Sequence, residues 1–333
     1  MKKLILSLLI LFSSVSIFSQ IYDFNLSIEP IYCLKNGRLY EYVKAFDQNS
    51  QSYVKMSELD WNLTNLSYLG GRANLDWKYL SIIAEVTACL SKDSGTMEDY
   101  DWQNYTRTGT SPNYYYYYND TSMCTDKSIS QNTINSGTVM NLKIKAKINP
   151  IAELMLNPYI AADYEVIKFS GRNGKGWYGN TIPCSYDSPN AVYYESLYGI
   201  DYNRYTFNAI LGLEAGYTFF NRLMLSAYAS TSPFTSVQSL DFHHNSYSGT
   251  TGTFYQDLIK GFFNEWRFGT SVSFNIWESL WFDAGFNYVL QTEMKGITYT
   301  DTSKSMKNKS LASSKSACAA NCWDLNFGLK WIF

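Results

Sequence analysis

The stretch WDLNFGLKWIF, residues 323–333, closes the chain and alternates strictly between two kinds of side chain. Large apolar residues hold the odd positions, and mostly polar or small residues stand between them. Successive side chains of a β-strand point to opposite faces, so this segment predicts a strand with one apolar and one mostly polar face.

The same alternation recurs in at least four other segments, which are residues 140–148, 205–215, 266–276 and 280–288. A soluble β-sandwich also alternates, but it hides its apolar face and exposes its polar one. Here aromatic residues gather at the strand ends opposite a polar and charged face. That combination is typical of outer-membrane barrels, which have aromatic girdles and a polar interior.

The connections between the predicted strands also alternate, between tight and long. Tight turns are predicted near residues 77–78, 149–150, 220–221 and 277–278, and long polar loops near 44–51, 92–136, 171–193, 242–253 and 300–320. This order predicts an all-β fold, a ten-stranded antiparallel transmembrane β-barrel with both termini on the same side. Two segments are about twice the 9–11 residues that a tilted strand needs to cross a bilayer, so we expect the barrel to extend above the outer membrane.

The N-terminus has the pattern of a secretory signal peptide. Lys2 and Lys3 precede an apolar run at residues 4–12, and a small-residue stretch follows at 13–20. This pattern predicts that residues 1–20 direct export and are removed. Residues 21–333 are then expected to form a single barrel domain.

Composition narrows the classes of partner. The formal net charge is −2, so no basic surface indicates nucleic acid as a partner. The six cysteines are scattered, and only Cys318 and Cys322 are close enough in sequence for a small loop disulfide. Whether that bridge forms is left open by the sequence.

Two residue pairs at spacing two are the candidates for chemistry. Asp99 and Asp101 lie in MEDYDW, and Asp241 and His243 lie in LDFHH, which contains both histidines of the chain. On an extended strand each pair shares one face. Two adjacent carboxylates resist double ionisation, and a carboxylate beside a histidine orients the ring as a general base. Each pair alone is also typical of a solvated loop.

Zinc is disfavoured at this point. Two adjacent histidines beside carboxylates suggest a metal site. However, neighbours on a strand point to opposite faces, so His243 and His244 cannot easily bind one ion. The sequence predicts no metal site.

Several motifs together resemble the omptins, outer-membrane aspartyl proteases of Gram-negative bacteria, over essentially the whole mature chain. They occur in the family's order: KMSELDW from Lys55, GRANLDW from Gly71, MEDYDW from Met97, GIDYNRYTF from Gly199, LDFHH from Leu240 and GLKWIF from Gly328. The combination is specific, although no single motif is.

The resemblance implies a ten-stranded barrel with a groove at its outer end, facing the exterior of the cell. It implies that Asp99 and Asp101 are the family's acidic couple and that Asp241 and His243 are its dyad. The histidine acts as general base on a water held between the pairs, and no acyl-enzyme forms. No cofactor is implied, apart from a possible dependence on outer-membrane lipid.

Two positions depart from the family pattern. Omptins prefer a basic residue before the cut and hold it with two acids, at positions that align by hand with Gly37 and Ser239. Neither residue can pair with arginine, which puts the basic preference in doubt. Glu41, Glu98 and Asp120 are the candidate substitutes for substrate binding.

The family also binds lipopolysaccharide through basic residues on the outer wall of the barrel. Lys168 and Arg204 match those residues in kind, although an accompanying acid does not match. They are the candidates for lipid binding.

The leading prediction is therefore an outer-membrane endopeptidase whose partners are surface-exposed peptides or proteins and outer-membrane lipid. The alternative is a catalytically inactive omptin-like barrel that acts as an adhesin or a pore. A lipid hydrolase has less support, because no serine is placed with a histidine as a nucleophile.

Overall fold

The computed structural model describes residues 24–47, 51–102, 124–151, 153–179, 191–244 and 251–333. They form fourteen strands: β1 Phe24–Asp47, β2 Ser52–Trp77, β3 Leu80–Cys89, β4 Asp93–Asp101, β5 Asp126–Ala146, β6 Ile148–Ile151, β7 Leu154–Gly179, β8 Ala191–Phe219, β9 Leu223–His244, β10 Gly252–Gly261, β11 Glu265–Trp277, β12 Leu280–Asp301, β13 Ser310–Leu311 and β14 Lys315–Ile332. The expected signal peptide, residues 1–20, lies outside the described residues.

Among the residues described, none forms a helix long and apolar enough to cross a membrane.

The strands close into an antiparallel barrel with ten places around its ring. In order, the places are β1, β2, β3 with β4, β5, β7, β8, β9, β10 with β11, β12 and β14. The last strand pairs with the first, so the sheet has no open edge there. The short β6 and β13 pair only with β7 and β12. The predicted ten-stranded barrel is confirmed.

The strands extend further than the sequence indicated. In the first predicted loop, 44–51, residues 44–47 are strand, because β1 continues to Asp47, and β2 begins at Ser52. In the predicted loop 171–193, residues 171–179 belong to β7 and residues 191–193 to β8. Polar side chains gave these segments a loop-like composition, yet their backbones stay paired across the hairpins. The result is a tall rim of paired strands.

An apolar belt surrounds one half of the barrel. Every place of the ring contributes an exposed apolar side chain to it: Tyr32, Leu75, Ile82, Leu142, Ile160, Leu213, Leu225, Phe274, Phe282 and Leu329. Exposed aromatic residues border the belt at the end with the short turns, among them Trp77, Phe220, Trp277 and Trp331. This is the surface that contact with hydrocarbon requires.

The lumen inside this belt is polar and rich in ion pairs. Arg267 lies 2.7 Å from Asp163, and Lys145 lies 2.6 Å from Glu214. These groups line a cavity of about 550 Å³. Pairing of opposite charges is what allows so many ionisable groups to sit inside the barrel.

An apolar plug closes the lumen above this cavity. Trp61 stacks between Phe169 and Tyr202, with ring centroids 5.3 and 4.9 Å away. Leu39 and Leu66 pack into the same cluster. The plug separates the polar lumen from the rim and forms the floor of the space in which the candidate residues lie.

The structure rules out the Cys318–Cys322 disulfide. Both thiols are free and buried on β14. Residues four apart on a strand lie about 13 Å apart, and a disulfide needs Cα atoms within about 7 Å. The two residues belong to a strand, whereas the sequence suggested a loop.

Candidate active site

Asp241 and His243 lie on the lumenal face of β9, near its outer end. Their spacing of two puts both side chains on one face, and Nε2 of His243 lies 2.9 Å from Oδ2 of Asp241. Asp241 is 3% exposed, whereas 37% of the His243 side chain is open to the cleft. The carboxylate is therefore shielded, and the ring faces the space where a substrate would bind.

Asp99 and Asp101 lie on the lumenal face of β4. This strand continues the wall above the ten-residue β3, so it belongs to the rim. Oγ of Ser57 on β2 lies 3.4 Å from Oδ1 of Asp99, at the upper limit for a hydrogen bond. Both carboxylates come from a strand fixed between β2 and β5.

The two pairs stand on nearly opposite walls of one cleft. Three strands separate β4 from β9 on one side of the ring, and five places separate them on the other. The Asp101 carboxylate is close enough to His243 to act on the pKa of its ring. The structure thus brings together the four residues that the sequence singled out.

The environment of His243 favours the neutral imidazole. Burial lowers the pKa of the ring to about 4, and the charges of Asp101 and Asp257 only partly oppose that shift. Tyr255 packs edge-on against the ring, with centroids 4.9 Å apart. A neutral ring can accept a proton at ordinary pH.

The environment of Asp99 favours a protonated carboxyl. Burial raises its pKa well above the usual range, and the neighbouring Asp101 raises it further, against a lowering by the Ser57 hydroxyl. The charge of Asp101 thus disfavours ionisation of the Asp99 carboxyl beside it. A protonated Asp99 can donate one hydrogen bond, and oxygens of both residues can accept others.

The adjacent His244 lies on the opposite face of β9. Its Nε2 lies 3.0 Å from Oδ2 of Asp201, and its ring packs against Tyr198 and Phe242. The side chain is only 6% exposed, so it is not the exposed neighbour that a loop interpretation implies. No single metal ion can be held by both histidines.

A second set of buried acids lies beside the dyad, and one of its members escaped the sequence analysis. Glu41 on β1 is 4% exposed, and Asp257 on β10 is 3% exposed. Oγ of Ser239 donates to Oδ2 of Asp257 over 3.0 Å. Asp257 could have been predicted by pairing β9 with β10 as a hairpin, because the register of that hairpin places Asp257 opposite Ser239.

Position 37 has no room for a side chain. It has φ +142° at a bulge in β1, and a Cβ there would lie 2.3 Å from the carbonyl oxygen of Asn321. A side chain is excluded by this close approach. Glu41, four residues further along β1, is an acid whose side chain is buried inside the barrel.

The other two substrate-binding candidates are Glu98 and Asp120. Glu98 alternates with Asp99 and lies on the outer face, where Tyr100 donates to it and Lys127 lies 3.5 Å away. It cannot reach the cleft. Asp120 lies outside the described residues.

The two lipid-binding candidates lie on opposite faces of the barrel wall. Arg204 is 3% exposed inside the barrel, and its guanidinium donates to Gln291 over 2.7 Å. A headgroup on the outer wall cannot reach it, so this assignment is wrong. Lys168 follows the buried, lumenal Ile167 on β7 and therefore lies on the outer face.

Within the described ranges, no group of three or more His, Cys, Asp or Glu side chains is arranged to hold a metal ion.

Comparison with known proteins identifies the family to which the chain belongs. The Omptin family model matches residues 25–333. A plasminogen activator from Yersinia pestis is 39% identical over 51 residues, which span 15% of this chain and only 16% of that relative. The crystal structure of the outer membrane protease OmpT from Escherichia coli superposes with a TM-score of 0.73 at 18% identity, covering 93% of this chain and 97% of OmpT. With the barrel, its apolar belt and the family match along nearly the whole described chain, this protein is an outer-membrane β-barrel that belongs to the omptin family.

Proposed function

We propose that the protein is an outer-membrane endopeptidase that hydrolyses exposed peptides or surface proteins with an activated water. The observation that carries this proposal is the cleft in which the Asp241–His243 dyad faces the Asp99–Asp101 pair. Membership of the omptin family supports it, as does the similarity to a structure named as an outer membrane protease.

The dyad supplies the base. In the productive tautomer, Nε2–H of His243 donates to Asp241, and the lone pair of Nδ1 points into the cleft. The Asp241 carboxylate fixes the tautomer and stabilises the imidazolium once it forms. Because burial keeps the free ring neutral, the base is ready before substrate binds.

The acidic pair positions the nucleophile. Asp99 and Asp101 share one proton, so together they donate one hydrogen bond and accept another from the water. Held between this pair and His243, the water lies within reach of both walls. Such positioning removes much of the entropic cost of attack.

The chemical steps balance without a covalent enzyme intermediate. The water oxygen bonds to the scissile carbonyl carbon while Nδ1 of His243 takes its proton, which gives a tetrahedral oxyanion. The C–N bond then breaks, and the imidazolium returns its proton to the leaving amine. The products are one new carboxyl group and one new amino group, and neutral His243 is regenerated.

The location of the site sets the class of substrate. The cleft lies in the rim beyond the apolar belt, above the plug formed by Trp61, Phe169 and Tyr202. We expect substrates to reach it from outside the cell. Outer-membrane lipid is the proposed partner of the belt, and no cofactor is proposed.

The proposed activity is tested with purified protein refolded in detergent and supplemented with outer-membrane lipid. Incubation with a randomised peptide library, followed by mass spectrometry, should reveal internal cleavages. The His243→Ala variant, checked for folding by its heat-dependent gel shift, should cleave at least ~10²-fold more slowly. A folded wild-type barrel that cleaves nothing would favour the passive adhesin or pore.

A further inference from the structure

Tyr255 lies on the wall of the cleft that carries the dyad. It pairs with Asp241 across the β9–β10 hairpin, and residues directly opposite each other on neighbouring strands share one face of a sheet. Its ring packs edge-on against the imidazole of His243, with centroids 4.9 Å apart. The side chain is partly exposed. The Tyr255 ring is therefore part of the surface that a bound substrate would contact.

The hydroxyl end of Tyr255 lies at the level of the proposed base. Thr253 is opposite His243 in the same hairpin, two residues nearer the outer end than Tyr255. The Thr253 hydroxyl contacts the Tyr255 phenol. Since the ring passes along His243 to reach Thr253, the phenolic oxygen lies beside the base and not at the depth of Asp241.

The environment of Tyr255 keeps its phenol protonated. Burial raises the pKa of the phenol above its usual value, and the charge of Asp241 raises it further, against a lowering by the Thr253 hydroxyl. A protonated phenol can donate one hydrogen bond. When Thr253 donates to the phenolic oxygen, the O–H of Tyr255 is free to donate into the cleft.

The proposed reaction creates negative charge in a cleft that is lined largely by acids. Attack of water on the scissile carbonyl gives an oxyanion between two walls that both carry carboxyl groups. Such a charge is stabilised best by a donor that is already in place. Two other hydroxyls of the cleft are directed elsewhere, because Ser57 contacts Asp99 and Ser239 donates to Asp257. The Tyr255 phenol remains as a donor beside the base.

We propose that Tyr255 is a catalytic residue whose phenolic O–H donates a hydrogen bond to the oxyanion of the tetrahedral intermediate. This inference rests on the proposed peptidase function and adds a transition-state contact to it. Tyr255 keeps its proton throughout, and His243 alone takes a proton from the water and returns it to the leaving amine. The hydrogen bond strengthens as the carbonyl oxygen gains charge and weakens when the C–N bond breaks.

A neutral donor suits this cleft. A cation at the same place would pair with the neighbouring carboxylates, whereas a phenol leaves the charge of Asp241 available to His243. Because the phenol binds the oxyanion more strongly than the uncharged carbonyl of the substrate, its contribution appears in kcat and only weakly in KM.

The first test replaces Tyr255 by Phe, which removes one oxygen and keeps the ring that packs against His243. For peptide cleavage, kcat should fall about 10²–10³-fold, the range for loss of one oxyanion donor, with KM within a few-fold of wild type. Tyr299→Phe is the matched control. Tyr299 is opposite Gln256 and thus on the outer face, so this variant should keep the wild-type rate. Tyr255→Phe with a wild-type kcat would overturn the proposal.

The pH profile separates a donor from a residue that only orients the histidine. Tyr255→Phe should lower the rate by the same factor at every pH across and above the rise near 4, because the ring contact with His243 is kept. A loss of rate accompanied by a shift of that rise would show that Tyr255 acts through His243, and it would overturn the oxyanion role.

Binding of a tetrahedral mimic gives a readout that does not need turnover. A phosphinate peptide, with a charged phosphinate in place of the scissile amide, is compared with the matched amide peptide by fluorescence anisotropy in the His243→Ala background. Adding Tyr255→Phe should weaken phosphinate binding about 10-fold or more, the loss expected for a hydrogen bond to a charged group, and leave amide binding unchanged.

The outcomes distinguish this inference from the function on which it rests. An equal effect of Tyr255→Phe on both ligands, or no effect on either, would refute the donor alone. A wild type that neither binds nor cleaves any peptide would refute the peptidase proposal and the donor with it.

Discussion

Nε2 of His243 lies 2.9 Å from Oδ2 of Asp241, and both side chains project from one face of β9 into the cleft. The next residue, His244, makes an equally short contact with Asp201 on the opposite face. Both adjacent histidines have carboxylate partners. Because side chains alternate along the strand, His243 faces the cleft and His244 does not. This division underlies the first prediction.

His243→Ala should reduce kcat/KM for peptide cleavage at least ~10²-fold, because a general base contributes that much or more. His244→Ala is the matched control. It removes a ring that packs on the outer face, and it should leave the rate within a few-fold of wild type. Equal losses from the two substitutions would mean that the wrong histidine has been assigned.

The pH dependence of cleavage should reflect the lowered pKa of the His243 ring. His243 accepts a proton only when neutral, and burial lowers its pKa from 6.5 to about 4. With a peptide that has a neutral residue before the cut, kcat/KM should rise with pH through about 4 and level off below 6. Activity recovered on return to neutral pH controls for unfolding. A rise centred above 6 would contradict the assignment of a base whose pKa is lowered.

Asp99→Asn should abolish cleavage and stabilise the barrel at pH 8. The folded protein binds the Asp99 proton more tightly than the unfolded chain, because burial raises the pKa of this carboxyl. The associated stability is present below the unfolded value near pH 4 and is lost as pH rises towards the folded value. The variant has no carboxyl to ionise and so does not lose this stability. The temperature at which heating changes its mobility on gels should therefore exceed that of wild type by a few degrees at pH 8. The difference should vanish near pH 4, and a lower temperature at pH 8 would count against a buried, proton-binding carboxyl.

Trp61→Ala should weaken the rim and open the lumen. Trp61 is fully buried between Phe169 and Tyr202, and loss of such a side chain costs about 3–5 kcal/mol. In planar bilayers the wild type should be closed to ions, whereas the variant should show stepwise conductance through the polar lumen. Steady conductance of the wild type would support the pore alternative.

Strand alternation was sufficient to predict the barrel, because the period of two survives in every strand that crosses the apolar belt. It was also sufficient to place Asp99 with Asp101 and Asp241 with His243, since each pair lies within one strand. The extent of the rim was not predictable in the same way. Polar residues interrupt the apolar alternation of its strands, so their composition resembles that of loops.

Features that depend on pairing between strands were missed. Asp257 is 16 residues beyond Asp241 in sequence, and only the β9–β10 register brings it opposite Ser239. The bulge at Gly37 shifts the pairing of β1 with β2 by one residue, which side-chain alternation in the sequence does not reveal. Arg204 was assigned to the outer wall by residue type alone, although its position on β8 turns it inward.

The central claim is that His243 and its partners activate a water molecule for direct attack on a peptide bond. A single-turnover reaction in ¹⁸O-labelled water, with enzyme in excess over an Arg-containing peptide, tests it most directly. We predict one ¹⁸O atom in the new carboxyl group of the N-terminal product, no peptide covalently attached to the barrel at any time, and product formation at least ~10²-fold slower in His243→Ala. A covalent peptidyl adduct, or cleavage by His243→Ala at the wild-type rate, would contradict the claim.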